Sequence, residues 1–118
     1  MHGVEPVSCN DAQESLATGV IVTITPPKTI ADGAQTPHIG KLNFAIMKRG
    51  VSNIFTATDE QLIEGMKFFS TTMKIVVEPT GCLGYAALRT CGIDLKGKKI
   101  GIVLSGGNID LPKYAELI

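Results

Sequence analysis

Apolar and polar positions along this 118-residue chain change period several times, and each change marks a predicted element. Asp11 to Gly19 fits a short helix, with Asp11 as N-cap, Glu14 completing a capping box and Gly19 as a left-handed stop. Val20 to Thr25 is β-branched throughout and runs into Pro26 and Pro27, which predicts a short strand. Lys28 to Gly40 holds Gly33, Pro37 and Gly40 among polar residues and predicts a loop around at most a short helix. Thr58 and Gln61 frame a second capping box, and Leu62, Met66, Phe69 and Met73 follow at spacings of 4, 3 and 4 on one helical face. A helix over 59–72 is predicted. Met73 to Glu78 follows as an extended link, and Pro79 then opens a helix to Thr90, closed by Gly92. Its small residues, Gly81, Gly84, Ala86 and Ala87, permit close approach to a neighbour. Lys98 to Ser105 is apolar without alternation, the pattern of a strand covered on both faces in a parallel sheet.

Helices alternating with β-branched segments give an α/β fold. Two strands are too few for a sheet with covered faces, and Gly3 to Pro6 reads as the outgoing edge of a strand whose body lies before Met1. A partial domain over 1–118 is therefore expected. Hydrophobic residues at 44% and charged residues at 19% belong to a folded globular chain. Acidic and basic residues number 11 each, with no basic stripe longer than Lys96 to Lys99, which argues against a nucleic-acid partner. Cys9, Cys82 and Cys91 form no C-x-x-C pair and read as reduced thiols. The first residues lack a signal-peptide core, and no apolar run reaches the roughly 20 residues that cross a bilayer. A cytoplasmic protein is expected.

Three places carry candidate chemistry. Ser105-Gly106-Gly107-Asn108 ends a predicted parallel strand, where open α/β sheets bind ligands; a glycine turn or a phosphate nest has the same sequence. Glu78 and Thr80 sit at a helix N-terminus, where an acid answers the dipole and a hydroxyl satisfies an amide without any ligand. Glu5 and Asp11, with carbonyls between them, could supply oxygen ligands to a hard cation, although Asp11 already serves as an N-cap. His2 and His38 are isolated, and Lys74 alone reads as a solvated helix-end charge.

Together, in order, Gly3 to Pro6, Asn10-Asp11, Lys28 to Gly33, Met73-Lys74, Val77 to Gly81 and Leu104 to Asp110 resemble the C-terminal part of the serine racemase and serine/threonine dehydratase family. These are pyridoxal-phosphate enzymes of the tryptophan-synthase-β type, or fold type II. The resemblance implies a portion of their three-layer parallel-sheet domain, incomplete at the N-terminus. It implies that Ser105 hydrogen-bonds the pyridine nitrogen, with Gly106 and Gly107 leaving room for the ring. Glu78 would lie at the ring side, with Gly33 approaching through its backbone. Glu5, the Cys9 carbonyl and Asp11 match a site for Mg²⁺ or another divalent cation. Lys74, reaching across a homodimer interface, and Asn108 match positions that touch ATP.

The departures from the family pattern are as informative. The Schiff-base lysine in its Ser-x-Lys-x-Arg-Gly context, the Ser-Gly-Asn-His stretch and the glycine run that cradles the phosphate are not in the sequence. The resemblance implies that the whole enzyme removes Cα–H from a small hydroxy-amino acid. It then expels the β-hydroxyl to give a keto acid and ammonia, or returns a proton to give the other enantiomer. The chain alone, without nucleophile and base, is expected to be inactive, either as a remnant or as a subunit needing an N-terminal partner. No regulatory domain is expected after Ile118, which favours the racemase-like or catabolic branch.

Overall fold

A computed structural model describes all residues, Met1 to Ile118. Two strands, β1 (His2–Pro6) and β2 (Asn53–Ala57), pair in parallel from His2 opposite Asn53 to Pro6 opposite Ala57. Parallel neighbours need a long crossover. Here it carries α1 (Asp11–Thr18), a 3-10 turn (Asp32–Ala34) and α2 (Lys41–Gly50). After β2 come α3 (Asp59–Phe68), a π turn (Phe69–Met73), a 3-10 turn (Thr80–Cys82), α4 (Leu83–Thr90) and α5 (Leu111–Leu117). The core joins Leu62, Met66 and Phe69 to Ala57, Val77, Leu83, Ala86 and Tyr114. The Tyr114 hydroxyl donates to the Met66 carbonyl at 3.3 Å, which fixes α5 on α3.

The second capping box forms in full: Thr58 Oγ1 accepts the Gln61 amide at 3.3 Å, and Gln61 Oε1 accepts the Thr58 amide at 3.0 Å. Leu62, Met66 and Phe69 are buried as their spacing predicts. Met73 is 52% exposed, because the wider π turn rotates it off that face before Lys74 ends the segment at φ 59°. Pro79 enters the next helix at φ −53°, and Gly92 follows its end at φ 66°.

Three expectations are corrected. In α1, Gly19 is the left-handed stop at φ 78°, but Asn10 is the N-cap and no capping box forms. Glu5 reaches from β1 and takes the Ala12 and Gln13 amides at 3.2 and 2.9 Å, so Asp11 has no amide left to cap and turns inward. Neither Val20 to Thr25 nor Lys98 to Ser105 is a strand. A strand is a ladder and not a propensity: Val20 to Thr25 makes a single backbone bond to another segment, from the Ile24 amide to the Pro37 carbonyl at 2.9 Å, and Lys99 to Ser105 makes none. The predicted covered run is instead open, with Val103 84% exposed. Meanwhile β2, α2 and α5 form where no element was predicted.

Only 22 of 118 residues are buried, and the molecule is a slab of 40 × 38 × 21 Å. Its radius of gyration of 14.6 Å exceeds the roughly 13.5 Å of a closed domain of this length. Both observations describe part of a larger layered domain.

Candidate functional site

The Ser105 to Asn108 turn is locked to the start of α4 by Glu78. The Glu78 amide donates to the Gly106 carbonyl at 3.1 Å, and its carboxylate accepts the Asn108 amide at 2.9 Å. A Cβ on Gly106 would collide with the Glu78 carboxylate, and one on Gly107 would come within 2.6 Å of the Val76 carbonyl. The glycines therefore have a packing reason, with Val76 and Glu78 lying where side chains would stand. Gly81 completes the lock: its Cβ would lie 2.8 Å from the Gly106 carbonyl.

Thr80 joins the third piece. Its hydroxyl accepts the Gly33 amide at 3.1 Å, so it holds a distant loop and not a first-turn amide of its own helix. Asp59 anchors that loop from the other side, accepting the Thr29 hydroxyl and, at 3.1 Å, the Ile30 amide. Gly33, Glu78, Ser105, Gly106 and Gly107 are thus brought to one place. The Ser105 hydroxyl is exposed and makes no hydrogen bond within the chain. Sequence reasoning missed Asp59, which looks like an ordinary first-turn acid. It also missed Gly81 as the contact with Gly106. The Thr-Ile-Ala-Asp-Gly spacing contains no signal for either.

Asn108 borders a smaller cavity of about 180 Å³ with Asp32, Glu78, Asp110 and Lys113. Lys74 is exposed in the left-handed conformation, and no hydrogen bond joins it to Asn108. Cys82 is buried under Gly65. Desolvation, reinforced by the Glu78 charge, pushes its thiol up to about 12, so it is not a nucleophile near neutral pH.

Glu5, Cys9 and Asp11 form a separate group. Asp11 is 1% exposed, and the one side chain bonded to its carboxylate is the Cys9 thiol at 3.9 Å. That thiol also reaches the Ala34 and Thr36 carbonyls at 2.7 and 3.2 Å, while the Cys9 carbonyl accepts no hydrogen bond. Burial raises the pKa of both Glu5 and Asp11, and Asp11 further raises that of Glu5. No three His, Cys, Asp or Glu side chains converge as a metal centre. The oxygen set is two carboxylates and one free carbonyl.

The family described as pyridoxal-phosphate dependent enzyme matches residues 1–106. The chain belongs to this family. It is 53% identical over 118 residues to a serine racemase of Schizosaccharomyces pombe, covering all of this chain and 36% of that protein. An L-threo-3-hydroxyaspartate ammonia-lyase of Pseudomonas is 52% identical over 118 residues, covering all of this chain and 37% of that protein. Among solved structures, maize serine racemase superimposes with a TM-score of 0.88 at 31% identity, over 98% of this chain and 36% of that one. A T.th. threonine deaminase gives a TM-score of 0.87 at 41% identity, over 92% of this chain and 40% of that one. As a member of this pyridoxal-phosphate family the chain has a fold-type II layered architecture, of which it forms a part. It spans a little over a third of the length of the curated relatives it matches.

Proposed function

We propose that the chain is the C-terminal portion, 1–118, of a pyridoxal-phosphate enzyme acting on a small hydroxy-amino acid, and that it supplies the end of the site that meets the pyridine ring. The observation that carries this reading is the lock between Glu78, Gly81 and the Ser105 to Asn108 turn, which holds the Ser105 hydroxyl in place without using it. Pyridoxal phosphate, when bound, draws electrons from the substrate's Cα and so makes its proton removable. The role of Ser105 is to offer a neutral hydroxyl to the ring nitrogen, which moderates that electron sink compared with a carboxylate. Glu78 braces the turn, and Gly33 brings its loop to the same end.

The substrate class follows the relatives, a serine racemase and a hydroxyaspartate ammonia-lyase. Reaction at Cα–H with loss of the β-hydroxyl gives a keto acid and ammonia; return of a proton gives the enantiomer. The chain's own lysines lie outside the Schiff-base context, so by itself it performs neither reaction. The buried Asp11 and the half-buried Glu5, whose pKa values rise without a cation, beside an unused carbonyl, fit a hard divalent ion such as Mg²⁺. Glu5, Asp11 and the Cys9 carbonyl would hold it. Contacts of Lys74 and Asn108 with ATP, a homodimer and a cytoplasmic location complete the proposal.

The test is cofactor absorbance in the chain assembled with the N-terminal portion of the S. pombe relative. Ser105→Ala is expected to change the ring's absorbance and weaken its binding while the two portions still associate. An unchanged spectrum and affinity refute the role of Ser105. Reconstituted turnover separates a working subunit from an inactive remnant.

A further inference from the structure

Residues 29–36 form no regular element beyond the turn at Asp32–Ala34, yet Thr29 and Ala31 are buried. Side chains distant in the sequence hold this segment at three points. Asp59, the first residue of α3, takes its start: one carboxylate oxygen accepts the Thr29 hydroxyl and the other accepts the Ile30 amide at 3.1 Å. Thr80 takes the middle, accepting the Gly33 amide at 3.1 Å. The Cys9 thiol takes the end, donating to the Ala34 and Thr36 carbonyls at 2.7 and 3.2 Å.

The hold at the start is passed along the segment. The Thr29 hydroxyl accepts the Ala31 amide at 3.2 Å, the Asp32 amide donates to the Ile30 carbonyl at 3.0 Å, and the Gln35 side chain donates to the Thr29 carbonyl at 2.6 Å. Each residue between Thr29 and Gly33 therefore makes at least one of these bonds. An acid in the first turn of a helix ordinarily answers the dipole. The exposed Glu60 stands in the same turn and serves that purpose, whereas Asp59 has both oxygens on the loop. That use demands a carboxylate, because an asparagine offers one acceptor and would turn its NH₂ toward a donor.

We propose that Asp59, acting through Thr29, is a positioning residue that sets where the Gly33 backbone stands against Thr80 and the Glu78 lock. This rests on the reading that Gly33 approaches pyridoxal phosphate, and not on the role given to Ser105. Removing the clasp frees the start of the segment while Thr80 and Cys9 still hold its middle and end. The loop then stays in place and loosens at Gly33.

The experiment reads amide exchange at Gly33 in the full chain, and pyridoxal phosphate binding by absorbance in the chain fused behind the N-terminal portion of the S. pombe relative. Asp59→Asn and Thr29→Val keep shape and remove the bonds. They are expected to speed exchange at Gly33 about tenfold or more and to weaken cofactor binding about fivefold or more. Thr29→Ser, which keeps the hydroxyl, should match the parent in both. Thr58→Ala removes a cap from the same helix end without touching the loop, and should lower stability while leaving both readings unchanged. Exchange at Gly33 that Asp59→Asn and Thr29→Val do not alter overturns the proposal, as does Thr58→Ala moving both readings as far. Binding weakened by Ser105→Ala but not by Asp59→Asn removes the clasp's role alone. Binding weakened by Asp59→Asn but not by Ser105→Ala keeps the clasp and removes the assignment of Ser105, and indifference to both removes both.

Discussion

Replacing Gly81 with alanine tests the lock where the approach to α4 meets the Ser105 to Asn108 turn. The new Cβ would stand 2.8 Å from both the Gly106 carbonyl and Val77 Cγ1, and 3.4 Å from the Gly106 nitrogen. Ordinary van der Waals contact begins at 3.4 Å, so the turn must retreat by about half an ångström, stretching the 3.1 Å bond from Glu78 to Gly106. Overpacking of this kind costs about 1–3 kcal/mol, offset by up to about 1 kcal/mol from alanine's better helix propensity. The net loss should be about 1–2 kcal/mol, or roughly 4–8 °C in Tm for a chain of this size. Thermal unfolding followed by circular dichroism measures it, with Gly101→Ala as the control because nothing lies within 4 Å of that Cβ. Exchange of the Glu78 and Asn108 amides should quicken in Gly81→Ala alone. A variant as stable as the control, with both amides unchanged, would refute the lock.

Other predictions follow from the same structure. Thr58→Ala removes the α3 capping box and should cost about 1 kcal/mol, read by urea unfolding. Asp59→Ala frees the Thr29 to Gly33 loop, so trypsin should cut after Lys28 several times faster than in the parent chain. A thiol reagent at pH 8 should modify Cys91 promptly and the buried Cys9 and Cys82 only after denaturation; rapid loss of all three thiols would contradict the burial of the latter pair. Glu5 and Asp11 have folded pKa values above their unfolded ones, so the folded chain binds more protons than the unfolded chain as pH rises from about 4. Stability from these groups therefore falls toward neutrality, and added Mg²⁺ should raise Tm more at pH 7 than at pH 5. An equal effect at both pH values would count against the two carboxylates as its ligands.

The parts of the fold legible in the sequence are those decided locally. The Thr58 to Gln61 box and the Leu62, Met66, Phe69 stripe define α3 from within one segment, and Pro79 with Gly92 does the same around α4. Strands depend on neighbours. Val20 to Thr25 has strong β propensity and no ladder, while Asn53 to Ala57 has a weaker pattern and a partner in β1. α2 was hidden because Leu42 and Ile46 face solvent and Phe44 alone is buried, which spoils the amphipathic signal. At the site, the ordered segments around Glu78 and Ser105 were visible, but the clasp of Asp59 on Thr29 spans 30 residues and leaves no local trace. Glu5 shows the same limit: its capping of α1 comes from another element, so the sequence made Asp11 look like the cap.

The most direct measurement is ammonia release from L-serine and L-threo-3-hydroxyaspartate in the presence of pyridoxal phosphate. It compares the chain alone with the chain assembled with the N-terminal portion of its S. pombe relative. No turnover is expected for either component alone, and turnover in the assembly should fall at least tenfold in Ser105→Ala. Turnover by the isolated chain, or an assembly indifferent to Ser105, would contradict the proposed role of this chain.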